Sequence, residues 1–272
     1  DSLPSRGLGD VYKRQLGSST FASLFVASLS ILLMSASGCE SDKAKQGMTS
    51  SEPARVEIET KFGSMIVQLS DSTPQHRDNF LKLVNEQFYD SLIFHRVIRE
   101  FMVQGGDPQS KGADANARLG SGGPGYTVEA EIRPDLLHFK GALSAARQGD
   151  NVNPERRSSG SQFYLVQGRP FSDNEMSGIE GRIANFSTEY GNGLANVENG
   201  QFVYSDEARE MYKTVGGTPF LDMQYTVFGY VVEGLDIIDS IAAVPTDRRR
   251  GDRPLEDVCL LYTSDAADDL GR

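Results

Sequence analysis

Phe94-His95-Arg96-Val97-Ile98-Arg99-Glu100-Phe101-Met102-Val103-Gln104-Gly105-Gly106-Asp107-Pro108 is the stretch around which the rest of the chain is organised. It reads as two short strands about a tight turn, closed by a glycine pair. Strand side chains alternate between faces. Phe94, Arg96 and Ile98 are therefore expected on one face of the first strand, and His95 and Val97 on the other. In the second strand Met102 and Gln104 share a face and Val103 opposes them. One face thus gathers a guanidinium, a thioether and an amide, with Phe101 beside them. Gly105-Gly106 allows a sharp turn where a Cβ would clash. Taken alone, the stretch reads more readily as a core hairpin that leaves an Arg and a Gln exposed.

Two further blocks change that reading: Gly160-Ser161-Gln162-Phe163-Tyr164 and Val227-Phe228-Gly229. With F-H-R-V-I and F-M-V-Q-G-G-D ahead of them, they resemble, in order, the signature of the cyclophilin-type peptidyl-prolyl isomerases. The resemblance runs from about Val56 to Val258 and is broken by one long insertion, about 170–217. It implies a mainly β fold: a closed eight-stranded antiparallel barrel with a helix over each end. Short alternating strands framed by two helices argue for the same architecture.

The resemblance also implies a site. Arg96 stands at the family's catalytic arginine position, Gln104 would orient it and bond the peptide backbone, and Phe101 belongs to the same catalytic group. Phe101, Met102 and Tyr164 would form the apolar pocket for a proline ring, with Phe220, Leu221 and Tyr225 as its far wall. Gln162 and the backbone near Ala146 would hold the residue before proline. Four positions depart from the family pattern: Tyr164 for Phe, Phe220 for Trp, Tyr225 for His and Arg147 for Asn. The missing indole donor predicts weakened cyclosporin binding. Rotation of an amide breaks no bond, so no cofactor and no metal are called for. His95 is expected as a packed barrel residue facing away from Arg96, and His76 and His138 as isolated.

The chain has 272 residues and a formal net charge of −11. That balance excludes nucleic acid as a partner, since phosphate binding needs clustered Lys and Arg. Proline-containing peptides and unfolded envelope proteins are the expected partners of a monomer. A proline-peptide-binding module without catalysis, or a scaffold using the acidic insertion, is the competing reading.

Residues 1–15 and 259–272 resemble a translated transposase sequencing adapter; Asp10 to Gln15 is what GAT-GTG-TAT-AAG-AGA-CAG encodes. Excluding them removes Cys259 and leaves Cys39, so no disulfide framework or Cys-based zinc site is expected. The closing strand would begin at Leu255–Val258, with Leu260, Leu261 and Tyr262 filling part of it through hydrophobicity alone. Residues 16–38 carry no charge, and Phe21 to Met34 suits a signal-peptide core. Ser35-Ala36-Ser37-Gly38 before Cys39 resembles a lipobox, which implies lipid attachment at Cys39 and a bacterial envelope location. Residues 39–54 read as that cysteine plus a flexible linker, and 55–258 as the folded domain.

Within that domain, Val56 to Leu69 reads as a hairpin. Thr73-Pro74 reads as the start of a helix with Thr73 as N-cap and Phe80, Leu81, Leu83 and Val84 as its stripe. Gln109 to Gly125 reads as a long surface loop, Tyr126 to Ile132 as a strand, Gly141 to Ala146 and Gln162 to Val166 as strands. In the insertion, Ser205 would cap a helix that Gly216-Gly217 ends. Tyr225 to Val232 reads as a strand and Leu235 to Ala243 as a helix.

Overall fold

The computed structural model describes residues 53–183, 195–198, 201–260 and 262–265. The signal, lipobox and linker expectations, including Cys39, the N-terminal adapter reading and Leu261 lie outside them. Arg55–Thr60 (β1) and Gly63–Leu69 (β2) form the expected hairpin, with Arg55 opposite Gln68 and Thr60 opposite Gly63. Helix α1 (Pro74–Asn85) follows. Arg96–Ile98 (β3) and Met102–Gly105 (β4) form the signature hairpin. A long loop leads to Thr127–Val128 (β5), then Ala142–Ala145 (β6), Ser158–Ser159 (β7) and Phe163–Val166 (β8). The insertion contributes α2 (Asp173–Glu180), β9 (Ala195–Glu198), β10 (Gln201–Tyr204) and α3 (Asp206–Thr214). Val227–Glu233 (β11), α4 (Leu235–Ala242), Thr246–Asp247 (β12), Arg253–Pro254 (β13) and Tyr262–Asp265 (β14) complete the described chain.

The main sheet is antiparallel, eight strands in the order β14-β1-β2-β11-β6-β8-β4-β3. Its concave side is filled by Val56, Ile58, Met65, Val67, Leu69, Val97, Val103, Leu143, Phe163, Leu165 and Phe228, all buried in one cluster. Helices α1 and α4 close that cluster through Phe80, Leu83 and Val84 and through Ile238, Ile241 and Ala242. Phe80 meets Tyr89, Phe163 and Phe228 at ring separations of 5.1, 5.5 and 5.5 Å. The phenylalanines of the second and third signature blocks are thus core residues, which hold the site's strands from behind.

Several expectations need correction. The strands β3 and β14 are both sheet edges. Only the irregular segments before them meet: Ile93 bridges Cys259, Leu260 N donates to Leu92 O at 2.8 Å and Phe94 N to Val258 O at 2.9 Å. Leu260 is fully buried there. Phe94 bonds Val258 and precedes the strand proper, so it turns into the core instead of sharing the face of Arg96. Residues 255–258 form no strand, and of Tyr126–Ile132 only Thr127–Val128 does, paired with β7. Thr73 makes no side-chain capping bond. The carboxylate of Glu131 takes that place, accepting from Gln75 N (3.1 Å) and His76 N (3.0 Å), where its charge also meets the positive end of the helix.

The insertion has a core of its own. Phe171, Met176, Ile179, Phe202, Tyr204, Ala208, Met211 and Tyr212 pack with Leu137 and Phe139 of the main body. Its helix α3 is capped as expected by Ser205, which accepts from Ala208 N. The unforeseen α2 carries a capping box between Ser172 and Glu175. The two ends of the insertion cross: Arg169 N donates to Gly217 O (3.2 Å) and Gly217 N to Arg169 O (3.1 Å). A Cβ at Gly168 would lie 2.2 Å from Gly217 O, and one at Gly217 would lie 2.2 Å from His138 O. Only glycine permits this approach.

Candidate active site

One rung of the sheet carries the site. Arg96 lies opposite Gln104, Gln104 opposite Tyr164, Tyr164 opposite Ser144, and Ser144 opposite Val227. Residues opposite one another in a ladder share a face. Because Val97 and Val103 fill the core, Arg96, Met102 and Gln104 stand on the convex side. The glycine pair holds the end of β4 in place: Gly106 has φ +86, and a Cβ there would meet Ser161 O at 2.2 Å.

A cavity of about 150 Å³ opens on this face, lined by Arg96, Phe101, Met102, Gln104, Ala146, Arg147, Tyr164, Leu221 and Tyr225. Nearly the whole expected site is brought together. Phe220 and Gln162 are the exceptions. Phe220 is exposed at the rim, its ring 5.8 Å from that of Phe101. Gln162 lines a neighbouring cavity of about 640 Å³, which shares Gln104, Ala146 and Arg147 with the first. The two cavities suit successive residues of an extended peptide.

The polar edge of the small cavity is a one-way hydrogen-bonded line. Arg96 Nη1 donates to Gln104 Oε1 (3.4 Å), Gln104 Nε2 to Gln162 Oε1 (3.0 Å), and Gln162 Nε2 to Gly122 O (2.7 Å). Gly122 is itself held by Asp107, whose buried carboxylate accepts from the backbone N–H of Gln109, Gly120 and Gly122. Among the described residues no carboxylate lies within ion-pair distance of Arg96. Its charge is therefore oriented by an amide but not neutralised. Arg147 is different: it donates to Asp150 (2.6 Å) and Gln224 O (2.9 Å), and lies 4.5 Å over the ring of Tyr225. It serves as a wall between the cavities.

Tyr164 holds its hydroxyl away from the rim. Its ring floors the cavity and its hydroxyl points down to His138 Nε2, 3.1 Å away. Burial pushes this phenol well above its ordinary pKa, so it stays neutral. His138 is not isolated either; its Nδ1 lies 2.8 Å from Asp222 Oδ1.

His76 also has partners, Glu131 Oε2 at 2.6 Å from Nδ1 and Ser158 Oγ at 2.9 Å from Nε2. The order Ser–His–Glu resembles a hydrolytic triad, but Ser158 is 1% exposed and the adjoining cavity holds about 10 Å³, room for about one water. The set fastens α1 to β7. Burial works to raise the pKa of Glu131, yet the hydrogen bonds from His76 and the helix end outweigh it and the value is lowered. His95 packs beneath the long loop, beside Gly120, and its ring makes no protein hydrogen bond. Burial lowers its pKa to about 4, against the opposing pull of Asp107. No grouping of three or more metal-binding side chains occurs among the described residues.

Comparison with known proteins bears on the family and the fold. The family model for cyclophilin type peptidyl-prolyl cis-trans isomerase/CLD matches residues 55–264. A candidate peptidyl-prolyl cis-trans isomerase of Staphylococcus epidermidis is 32% identical over 207 residues, covering 76% of this chain and 88% of that protein. A candidate bifunctional phosphatase/peptidyl-prolyl cis-trans isomerase of Streptococcus pyogenes is 36% identical over 213 residues, covering 76% of this chain; the chain spans only 37% of that longer protein. Among solved structures, a Cryptosporidium parvum cyclophilin type peptidyl-prolyl cis-trans isomerase shares the fold with a TM-score of 0.52 at 22% identity, covering 79% of this chain and 98% of that one. A second structure of it, determined in the presence of the dipeptide Ala-Pro, has a TM-score of 0.51 at 22% identity, covering 78% and 98%.

Proposed function

The chain belongs to the cyclophilin-type peptidyl-prolyl cis-trans isomerase family, and on that premise we propose that it accelerates X–Pro rotation by stabilising the twisted amide, with Arg96 donating to the prolyl nitrogen. Resonance sets the barrier to amide rotation at roughly 18–20 kcal/mol, and the uncatalysed X–Pro flip takes tens to hundreds of seconds. Binding the twisted form better than either planar form lowers that barrier, and each 1.36 kcal/mol of preference is about tenfold in rate. In the twisted state the prolyl nitrogen regains a lone pair. The observation that carries the reading is the unneutralised Arg96 guanidinium beside a pocket floored by Phe101, Met102 and Tyr164. Gln104 orients the guanidinium. Gln162 and Ala146, bordering the larger cavity, hold the residue before proline; Leu221 and Tyr225 wall the ring and Phe220 covers it from the rim.

A chymotrypsin-coupled assay on a proline tetrapeptide tests this. The intact protein accelerates isomerisation and Arg96→Ala does not; equal rates for the two identify a binding module instead. Loss of bound partners on deletion of residues 172–216 would favour the scaffold reading.

We also read the sheet as the family's closed barrel, which the contacts between residues 91–94 and 258–260 support. Cys39 is read as a lipidated anchor that places a monomeric domain in the bacterial envelope, acting on unfolded proteins there. The uncharged run ahead of it supports this. Radiolabelled palmitate entering the wild-type protein but not Cys39→Ala is the expected result. The adapter reading of residues 1–15 and 259–272 rests on the likeness of their amino-acid strings to translated adapter, and resequencing an independent clone tests it.

A further inference from the structure

A second line of polar contacts leaves the same pocket, from beneath. Tyr164 Oη contacts His138 Nε2 (3.1 Å), His138 Nδ1 contacts Asp222 Oδ1 (2.8 Å), and Asp222 Oδ2 accepts from Tyr204 (2.7 Å) and Tyr212 (2.5 Å). All five residues are buried. The protons can be placed from donor chemistry. A carboxylate only accepts, and Asp222 Oδ1 takes the backbone N–H of His138 as well as Nδ1–H. His138 Nδ1–H is thus the donor to Asp222, and the Tyr164 hydroxyl is the side-chain group that meets Nε2. Burial keeps the phenols of Tyr204 and Tyr212 neutral too, and both donate.

Tyr204 and Tyr212 belong to the insertion; Tyr164 is the floor of the pocket. Asp222, between them, directly follows the turn that carries Phe220 and Leu221. Tyr204 Oη also contacts Pro219 O at 3.2 Å, gripping that turn at its other end. His138 is tied to the insertion's neck, since Thr218 N donates to its carbonyl at 2.8 Å. A phenylalanine at 164, the residue the signature block leads one to expect, would leave His138 Nε2 buried without its partner. The tyrosine, the histidine and the insertion are thus parts of one arrangement.

We propose that Tyr164, His138 and Asp222 form a positioning relay through which the inserted segment fixes the floor and wall of the proline pocket. The proposal rests on the isomerase reading for its substrate class but makes a separate claim, that residues of the insertion which line neither cavity set the affinity for proline peptides. A purely structural network would lower stability and leave affinity alone.

A double-mutant cycle separates these outcomes. Tyr212→Phe and Tyr164→Phe each remove one hydroxyl. Each is expected to raise KM for a proline tetrapeptide about fivefold, the worth of one hydrogen bond, with little change in kcat. The double variant is expected to match the larger single effect, because both act through one relay. A melting temperature that falls in Tyr212→Phe while KM stays at the wild-type value overturns the proposal, as do effects that multiply in the double variant. If the double variant does not fold, Tyr212→Phe alone decides. If the wild-type protein shows no isomerase activity, the reading of function fails, and the same cycle is read from the Kd of Ala-Pro dipeptide by calorimetric titration.

Discussion

Two hydrogen-bonded lines leave the same pocket, and they differ in what surrounds them. The upper line, Arg96–Gln104–Gln162–Gly122, runs along a partly exposed face and ends on a loop. The lower line, Tyr164–His138–Asp222, is buried throughout and ends on the phenols of the insertion. Water can replace a lost partner in the first but not in the second, where an orphaned polar group carries its full desolvation cost. The upper line should therefore govern chemistry with little effect on stability. The lower line should govern stability, and affinity through it.

The sharpest way to break that contrast is Asp222→Ala. It leaves two phenols and an imidazole without their acceptor, and a loss of about 3–5 kcal/mol in urea unfolding is expected, since each buried donor left unsatisfied costs about 1–3 kcal/mol. A loss below about 1 kcal/mol would dissolve the distinction. Next comes Arg96→Ala, expected to lower kcat/KM about 10²–10³-fold, as for a preorganised donor removed elsewhere, while stability moves by no more than about 0.5 kcal/mol. Arg96→Lys should restore little, because the planar fork is lost. His95 belongs to neither line and isolates burial from bonding. Its folded pKa of about 4 lies below the ordinary value of 6.5. Between these values the unfolded chain binds the proton and the folded one does not. Stability is then full above about pH 6.5 and falls by roughly 3 kcal/mol on acidification toward pH 4. His95→Phe should flatten that slope in thermal melts, leaving the later decline from Glu131, whose lowered pKa acts below the ordinary carboxylate range. The smallest effect is expected for Gln162→Ala, about a fivefold loss in kcat/KM with a stability loss of about 1 kcal/mol in urea unfolding.

The same contrast explains what could be read from the residues alone. Arg96, Phe101, Met102 and Gln104 lie in one short hairpin, and strand alternation suffices to gather them. The lower line has no such local signal. His138 finds its partners 26 and 84 residues away, beyond the reach of any local pattern. The helix cap failed for the same reason: Thr73 is a good local candidate, but Glu131 supplies a charge from another part of the chain. Alternation does not hold across the start of β3, where Phe94 pairs with Val258 instead of β4, and so Phe94 faces the core. The capping box of α2, Ser172 to Glu175, is by contrast a purely local signal, carried by residues three apart.

The crossing of Gly168 and Gly217 has a topological consequence. Since the chain leaves the sheet and returns to it at one point, everything between those glycines is a loop on a closed stalk. Such a stalk accepts appendages of any length without disturbing strand order, which makes it a natural grafting point where relatives of this fold can diverge. Here the graft also reaches inward, and Tyr204 and Tyr212 stand behind the floor on which a substrate would rest without lining it.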